Sequence, residues 1–172
     1  MNITIRDIRA EEGAVLGQLL VEVYATLPGF PSPEQQPRYY EMLRNIYAFT
    51  ERPATRVLVA LDDREHIVGG VVYFGDMAQY GSGGTATRET RASGIRLLGV
   101  SPSVRGGGIG KALTEACLAL ARDSGNTQVI LHTTEAMRIA WGLYERLGFV
   151  RSSDLDFMQE ALPVFGFRLK LA

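Results

Sequence analysis

Ten of the 19 glycines in this 172-residue chain lie between Gly75 and Gly110, and this concentration of backbone freedom limits the possible folds. The densest part is Val100–Lys111 (VSPSVRGGGIGK), which separates an apolar run, Ile95–Val100, from a stretch with helical spacing that begins at Ile109. Glycine lets the backbone approach a ligand closely, and the first turn of a helix presents free N–H groups and partial positive charge. A strand, a glycine loop and a helix in this order predict a binding site for phosphate or diphosphate.

The glycine loop matches neither of the common nucleotide-binding motifs. A P-loop needs Gly where this chain has Arg105, and Ser or Thr where it has Ala112. The dinucleotide fingerprint fails as well, because its last glycine position falls on Lys111 or on Leu113, depending on the starting glycine. The alternative of a flexible loop that only caps the helix is less consistent with the strand, loop and helix found in sequence.

Hydrophobic periodicity predicts a mixed α/β chain. The expected elements are a strand near 3–8, helices over 11–27 and 38–50, strands over 56–61, 67–74 and 95–100, a helix over 109–123, a strand over 128–132, a helix over 136–147, and final strands from 149 and over 164–171. The order is β-α-α-β-β-β-α-β-α-β-β. It predicts one domain over residues 1–172, with a central, mostly antiparallel sheet of about seven strands flanked by four helices.

The composition excludes several classes of protein. Lys plus Arg is 18 and Asp plus Glu is 19, so a net charge of −1 gives no general attraction to nucleic acid or to an anionic membrane. No stretch is apolar enough to span a bilayer and the N-terminus lacks the apolar run of a signal peptide, so we expect a cytoplasmic protein. Cys117 is the only cysteine, and Asp154 and Asp156 lack a nearby histidine, so we expect neither a disulfide nor a metal site.

Two motifs resemble those of one enzyme superfamily. Arg105-x-x-Gly108-x-Gly110 is similar to the acyl-CoA signature of the GNAT-type N-acetyltransferases, and residues 140–149 (AWGLYERLGF) are similar to the superfamily's C-terminal motif. The two motifs have the expected separation, and the element order matches the superfamily fold from residue 3 to 171. One glycine-rich hexapeptide would be weak evidence, whereas two motifs with matching topology are strong evidence for the family and weak evidence for the substrate.

The resemblance implies acetyl-CoA as co-substrate. In such enzymes the strand before the glycine loop separates from its parallel neighbour and pairs with the pantetheine arm, which assigns Leu98, Gly99 and Val100 to pantetheine. The glycine loop would hold the pyrophosphate through the backbone of Arg105, Gly106, Gly107, Gly108, Ile109, Gly110 and Lys111. Tyr144 would protonate the leaving thiolate, because the free pKa of tyrosine, about 10, lies above that of a thiol. The alternative for Tyr144 is an aromatic core residue.

The general base stays open between three alternatives. Many members of the superfamily carry a Glu at the start of the fourth strand, and that place is Gly94 here. Glu89 lies upstream of it, His132 ends the fifth strand near the same cleft, and a route through ordered water needs neither side chain. A second departure is Met137, where the motif often has an Asn that bonds the cofactor. The adjacent Arg138 could reach phosphate instead.

Aromatic side chains are expected on the acceptor side of the cleft, namely Phe30, Tyr39, Tyr40, Tyr80, Phe157 and Phe165. An aromatic pocket with few carboxylates favours a small amine or amino-acid-like substrate over a histone-type tail or a polyamine. Arg96 and Arg105 could each contact an anionic group, and only Arg105 belongs to a motif. The segment Gly75–Gly94 is either a lid that orders on binding or a loose hairpin.

These features predict an enzyme that moves an acetyl group from acetyl-CoA to a primary amine of a small molecule or peptide, by direct attack in a ternary complex. The alternative is a catalytically weak CoA-binding sensor or interaction module of the same fold, which the missing acid on the fourth strand would suit. We expect no nucleic-acid or membrane partner. A homodimer is a further possibility, because the alternating last strand offers an edge.

Overall fold

Eight strands and four α-helices form the part of the chain that the computed structural model describes, residues 2–172. The helices are α1 (Gly13–Ala25), α2 (Pro37–Arg44), α3 (Ile109–Asp123) and α4 (Arg138–Arg146). The strands are β1 (Thr4–Asp7), β2 (Thr55–Leu61), β3 (Ile67–Phe74), β4 (Ala92–Val100), β5 (Gln128–Thr133), β6 (Val150–Arg151), β7 (Phe157–Gln159) and β8 (Leu162–Lys170). Short 3-10 turns cover Ala10–Glu12, Ile46–Glu51, Met77–Gln79, Ala86–Arg88, Pro102–Val104 and Ser153–Leu155.

All eight strands belong to one open sheet. Its order is β1-β2-β3-β4-β5-β8-β6, with β7 also paired to β8. Only β4 and β5 run parallel, and every other pair is antiparallel. The expected mixed α/β class with a mostly antiparallel sheet is confirmed.

One strand is absent from the predicted order. β7 has three residues and forms a hairpin with the start of β8. Its turn is Glu160-Ala161, and Glu160 takes a positive φ of 55° although it is not a glycine. The sequence carries no Gly, Pro or Asn to mark this turn, and three residues are too few for a period-2 pattern. The sheet therefore has eight strands rather than about seven.

The second predicted helix is also shorter in the structure. α2 ends at Arg44, and the 3-10 turn Ile46–Glu51 continues from it. At the junction, the Asn45 side chain donates to the Glu41 carbonyl at 3.0 Å, and its backbone N–H bonds the same carbonyl. Asparagine offers the backbone such local alternatives to a regular helix, which explains why the apolar pattern continues beyond the α-helical part.

The sheet separates two apolar layers. α1 and α2 cover one face with a cluster that includes Leu16, Leu20 and Tyr40, while α3 and α4 cover the other with Leu113, Cys117 and Phe167. α1 and α2 approach closely at Gly17, where a side-chain carbon would stand 2.5 Å from the Arg44 carbonyl oxygen. This contact needs glycine and fixes how the first two helices cover the sheet.

The middle of the sheet opens where its two parallel strands separate. β4 pairs with β5 only from Ala92 to Ile95, and the rest of β4 pairs with β3 alone. The β3–β4 register shifts between Gly70 and Val72, and Leu97 opposite this bulge has a φ of +60°. A bulge increases the local twist and bends its strand. The backbone beyond Ile95 is therefore left unpaired on the β5 side.

Candidate active site

A cleft of about 900 Å³ lies where β4 and β5 separate. Its walls come from α1, the Tyr80–Gly83 segment, β4, the glycine loop, the start of α3, α4 and the β7–β8 hairpin. This volume is in the range of sites that bind small molecules or cofactors. The single cleft thus joins the two regions that the sequence singled out, the glycine loop and the aromatic residues.

The glycine loop forms one end of the cleft. Gly106 and Gly108 adopt left-handed φ values of 85° and 78°, and a side-chain carbon at either position would meet nothing within 4 Å. Gly108 is the N-cap of α3, so the free N–H groups of the first helical turn face the loop. Of the ten residues predicted to bind the cofactor, all but Gly107 line the cleft. Fixed N–H groups with no side chain in front of them suit an anion.

Four cationic side chains on the glycine loop, α3 and α4 also line the cleft: Arg105, Lys111, Arg138 and Arg146. They come from the glycine loop, the first turn of α3 and both ends of α4. Their charges add to the partial positive charge of the α3 N-terminus. The end of the cleft at the glycine loop is therefore built for a polyanion.

The unpaired edge of β4 forms the middle of the cleft. Leu98, Gly99 and Val100 all line it, and the Leu98 carbonyl accepts a hydrogen bond of 2.8 Å from the Tyr24 hydroxyl. This bond holds the edge of β4 against α1. The remaining backbone groups of the edge can pair with an extended ligand in the way that a neighbouring strand would.

Opposite this edge lie two hydroxyls that the sequence reasoning missed. Thr133 ends β5 and Thr134 follows it, and they are only 1% and 4% exposed. Neither hydroxyl has a hydrogen-bond partner, and both residues line the cleft. A buried hydroxyl without a partner is unfavourable, so these atoms mark places where a ligand would supply the missing bond. Threonines at a strand end are too common for the sequence to single them out.

Tyr144 projects from α4 into the cleft and is 5% exposed. Its ring packs edge-on against Phe149 at 5.7 Å between centroids. Burial raises the pKa of Tyr144 above its usual value, and Cys117 and Tyr80 add to the rise. The phenol therefore keeps its proton at neutral pH. Tyr144 is thus a packed aromatic residue whose protonated phenol lines the cleft.

Tyr80 and His132 form a hydrogen-bonded pair at the other end of the cleft, and both residues line it. His132 Nε2 lies 2.9 Å from the Leu155 carbonyl oxygen, and Nδ1 lies 2.9 Å from the Tyr80 hydroxyl. Because a carbonyl can only accept, we assign the ring proton to Nε2, and Nδ1 accepts from Tyr80. Burial lowers the pKa of His132, opposed by its bond to Leu155, so the imidazole is neutral at pH 7.

The ring of Tyr80 explains why Gly94 carries no side chain. A side-chain carbon at Gly94 would lie 2.3 Å from Tyr80 Cδ1 and 2.8 Å from the Met77 sulfur. An acid at this place on β4 is therefore sterically excluded. The segment Gly75–Gly94 is not a loose hairpin, because Met77, Tyr80 and Ala86 anchor it in the core, while Gly81–Gly83 line the cleft.

Glu89 lies outside the cleft. Its carboxylate is paired with Arg168, which also bonds Asp154 and Gln128. Cys117 is likewise remote from chemistry, because it is fully buried and burial raises its pKa to about 12. The thiol thus stays protonated, in keeping with the packing role expected for it.

Four of the six aromatic residues expected on the acceptor side line the cleft: Phe30, Tyr39, Tyr80 and Phe157. The other two positions were predicted wrongly. Tyr40 is fully buried with its hydroxyl on the Pro31 carbonyl, and Phe165 packs against Trp141 in the other apolar layer. Tyr24 and Arg96 complete this end of the cleft.

Residues 2–172 contain no group of three His, Cys, Asp or Glu side chains placed to hold a metal ion. In the same residues, no helix combines the length and the apolar character that crossing a bilayer requires.

The sequence of residues 20–149 matches the model of the acetyltransferase (GNAT) family, which covers most of the chain and both motifs at the cleft. The chain belongs to this family. Its fold agrees with that of GNAT enzymes of known structure. An acetyltransferase of the GNAT family from Staphylococcus aureus Mu50 superposes with a TM-score of 0.77 at 16% identity, over 99% of this chain and 100% of the other.

Two further N-acetyltransferase or acetyltransferase structures of this fold contain coenzyme A or acetyl-CoA. The PaiA N-acetyltransferase of Thermoplasma acidophilum, solved with coenzyme A, gives a TM-score of 0.71 at 18% identity over 96% of this chain and 98% of the other. A phosphinothricin acetyltransferase of Sinorhizobium meliloti, solved with acetyl-CoA, gives 0.67 at 22% identity over 99% and 89%. At such identities the likeness establishes the shared GNAT fold.

Curated relatives of this GNAT chain include mycothiol acetyltransferases. The enzyme of Salinispora tropica is 50% identical over 66 residues, which are 38% of this chain and 22% of that protein. The enzyme of Streptosporangium roseum is 44% identical over 64 residues, 37% of this chain and 19% of that protein. The chain thus spans about a fifth of the length of these relatives.

Proposed function

We propose that residues 1–172 act as one catalytic domain, an N-acetyltransferase that moves an acetyl group from acetyl-CoA to a primary amine of a small molecule or peptide. The observation that carries this proposal is the single cleft that joins an anion-binding glycine loop, an unpaired strand edge and a buried tyrosine acid. Acetyl-CoA has a matching sequence of parts, namely a diphosphate, an extended amide arm and a thioester.

The cofactor would lie along β4. The N–H groups of Arg105–Lys111 would bind the pyrophosphate, with the nearby cations neutralising its charge. The pantetheine amides would pair with the edge formed by Leu98, Gly99 and Val100. Thr133 and Thr134 would donate hydrogen bonds to pantetheine from the opposite wall. These bonds would replace those of the usual Asn, since Met137 at that position is non-polar. No metal takes part in this scheme.

The amine would attack the thioester carbonyl directly. A new C–N bond forms, the carbonyl oxygen gains negative charge, and a backbone N–H of the β4 edge stabilises it as in an oxyanion hole. When the C–S bond breaks, the electron pair goes to sulfur and Tyr144 donates its phenolic proton to the thiolate. The raised pKa of Tyr144 keeps this proton available at pH 7, and transfer occurs only as thiolate charge develops.

The amine must also lose a proton, and the Tyr80–His132 pair is the route that we propose for it. On attack the nitrogen becomes positively charged and acidic. It gives a proton to the Tyr80 oxygen while the Tyr80 proton moves to His132 Nδ1, across the existing bond of 2.9 Å. The imidazolium keeps its Nε2 bond to Leu155. Glu89 has no part in this route because Arg168 holds it.

The test is release of CoA thiol from acetyl-CoA against separate pools of small amines, amino acids, aminoglycosides and basic peptides. A reaction without acceptor subtracts hydrolysis and the Cys117 thiol. Release with one pool supports the transferase and names its acceptor class. CoA binding without release in any pool would support the alternative of a sensor module. The missing acid on β4 favoured that alternative, and Tyr80 with His132 at the same place weakens the reason for it.

A further inference from the structure

Arg96 is a cation inside the cleft without an acidic partner. It lies on β4, one residue beyond the pairing with β5, and lines the cleft. Nη1 donates to the Tyr80 carbonyl at 2.9 Å, Nη2 faces the Met42 sulfur at 4.0 Å, and Cζ lies 5.8 Å from the centre of the Tyr80 ring. None of the ion pairs within residues 2–172 includes Arg96. A guanidinium has five N–H donors, so most of this capacity is unused.

The whole cleft is free of acidic side chains. No Asp or Glu of residues 2–172 lines it, whereas five cations do. Four of these cations belong to the glycine loop, α3 and α4, and the diphosphate end accounts for them. Arg96 is the fifth, and its contacts with Met42 and Tyr80 place it at the opposite, aromatic end. Arg96 is partly buried, and a partly buried charge without an ionic partner is stabilised by a bound anion.

Arg52 is exposed and does not line the cleft, but it adds a second positive charge beside Gly81, which does line it. Its Nη1 and the Nη1 of Arg96 lie 3.3 Å and 3.4 Å from the point where a side-chain carbon of Gly81 would stand. Arg52 donates to the Gln79 carbonyl at 2.9 Å, and its Cζ lies 4.5 Å from the centre of the Phe49 ring. Neither guanidinium is in an ion pair within residues 2–172, so both contribute positive potential near Gly81.

We propose that the acceptor carries a carboxylate beside its primary amine, and that Arg96 binds this carboxylate. The acceptor is then a small amino acid rather than a simple amine, a polyamine or a basic peptide. The inference rests on the proposed function, because it names the substrate class of the same cleft. Arginine suits the role, since its planar fork matches a carboxylate with two parallel N–H···O bonds.

The position of Arg96 also orients the acceptor. Gly94 and Arg96 are two residues apart on β4 and share a face, and the Tyr80 ring packs over Gly94. A carboxylate on Arg96 therefore holds the amine near the Tyr80 hydroxyl, where its proton must go. The acceptor's own side chain would contact Phe30, Tyr39 and Phe157. Burial raises the pKa of Tyr39 to about 12 and the Arg96 charge opposes the rise, so the charge reaches these rings.

The test compares L-amino acids with their decarboxylated amines and their carboxamides in the CoA-release assay. Apolar and aromatic members suit the cleft, for example phenylalanine against phenethylamine and phenylalaninamide. We expect the free acids to have a kcat/KM about 10 to 100 times that of the matched amine or amide. This factor corresponds to one charge-assisted hydrogen-bonded pair, which the amine and the amide cannot form. Faster turnover of the amines would overturn the inference and leave the proposed function intact.

Variants of Arg96 separate recognition from support of the fold. Arg96→Gln should raise the KM for the acids about 10- to 100-fold. The KM for acetyl-CoA and the slow reaction of the amines should change much less than the KM for the acids, and Arg96→Lys should restore part of the loss. The control is Arg64→Gln, which removes an exposed charge in the turn between β2 and β3. A purely structural role would reduce acids and amines equally, and that result would refute the inference.

Product binding gives a readout that does not need turnover. N-acetyl-L-phenylalanine should raise the melting temperature of the CoA-bound protein in a thermal shift assay, and N-acetylphenethylamine should not. In Arg96→Gln the shift should disappear. If the panel shows no turnover but this pattern holds, the transferase proposal fails while the carboxylate site stands. If neither product at about 10 mM changes the melting temperature of the CoA-bound wild-type protein, the proposed carboxylate site is wrong.

Discussion

The two ends of the cleft are built from different materials. At the glycine loop the binding groups are backbone N–H groups, presented by left-handed glycines ahead of α3. At the Tyr80 end they are side chains, with a phenol on an imidazole and a guanidinium beside them. Backbone groups bind the invariant part of a cofactor irrespective of the neighbouring side chains, whereas side chains can be exchanged to suit an acceptor. We therefore expect cofactor binding to depend on the backbone of the first end and the choice of acceptor to depend on the side chains of the second.

The middle of the cleft, where both ends meet, should show the largest effect of a single substitution. Tyr144→Phe removes the acid and keeps the packed ring, so we expect kcat to fall about 100- to 1,000-fold. The affinity for CoA should stay the same. The measurement is kcat by thiol release together with the Kd of CoA by calorimetry. Unchanged turnover would show that Tyr144 only packs in the core. A loss of CoA affinity would show that Tyr144 binds the cofactor rather than acting as the acid.

The acceptor end should respond next, through proton transfer. Tyr80→Phe keeps the ring over Gly94 but breaks the relay, and His132→Gln removes its terminus. Each should lower kcat about 10- to 100-fold at pH 7. The melting temperature of Tyr80→Phe serves as a check on folding. Equal kcat values in wild type and both variants would show that neither side chain accepts the proton, and a route through ordered water would remain.

The pH dependence follows from the direction of the His132 shift. Burial lowers its pKa below 6.5, so the imidazole stays neutral and able to accept a proton at pH values where a free histidine is charged. The acid limb of the kcat profile should therefore lie below pH 6.5, and it should be missing in His132→Gln. The free energy of unfolding should also decrease as the pH falls through this range. His132 has the higher pKa in the unfolded chain, so the unfolded state takes up the proton first and is favoured.

The glycine end should give a smaller effect that falls on binding alone. Gly108→Ala forces a side chain into a φ of 78°, which costs about 1 kcal/mol of stability, and its methyl group would occupy the open space that we propose for the diphosphate. The KM for acetyl-CoA should rise about tenfold. Gly125→Ala is a matched control, since Gly125 has a φ of 77° and equally open surroundings past the C-terminus of α3. Equal KM values in the two variants would contradict a role of the loop in binding.

The same contrast explains what the sequence could predict. The glycine loop, α3 and the Tyr144 motif are continuous stretches, so residue spacing carried their information. The pair Tyr80–His132 joins residues 52 positions apart, and β4–β5 pairing brings it together with Arg96. No local pattern distinguishes such residues from the core. The exclusion of a side chain at Gly94 likewise depends on a ring that arrives from another segment.

The smallest effect belongs to the middle of the cleft, where binding and stability should change in opposite directions. The Thr134 hydroxyl is buried without a partner, so Thr134→Val removes an unsatisfied group at nearly constant shape. Unfolding should become less favourable by about 1 kcal/mol, or about 2–4 °C in melting temperature. The KM for acetyl-CoA should rise about threefold, since the bond that pantetheine would complete is lost. Thr114→Val provides the opposite sign, because the Thr114 hydroxyl already donates to Gly110 at 2.8 Å and its loss should destabilise. A Thr134→Val protein that melts lower than wild type would mean that the hydroxyl has a partner within the protein, and the cofactor would then not need to supply one.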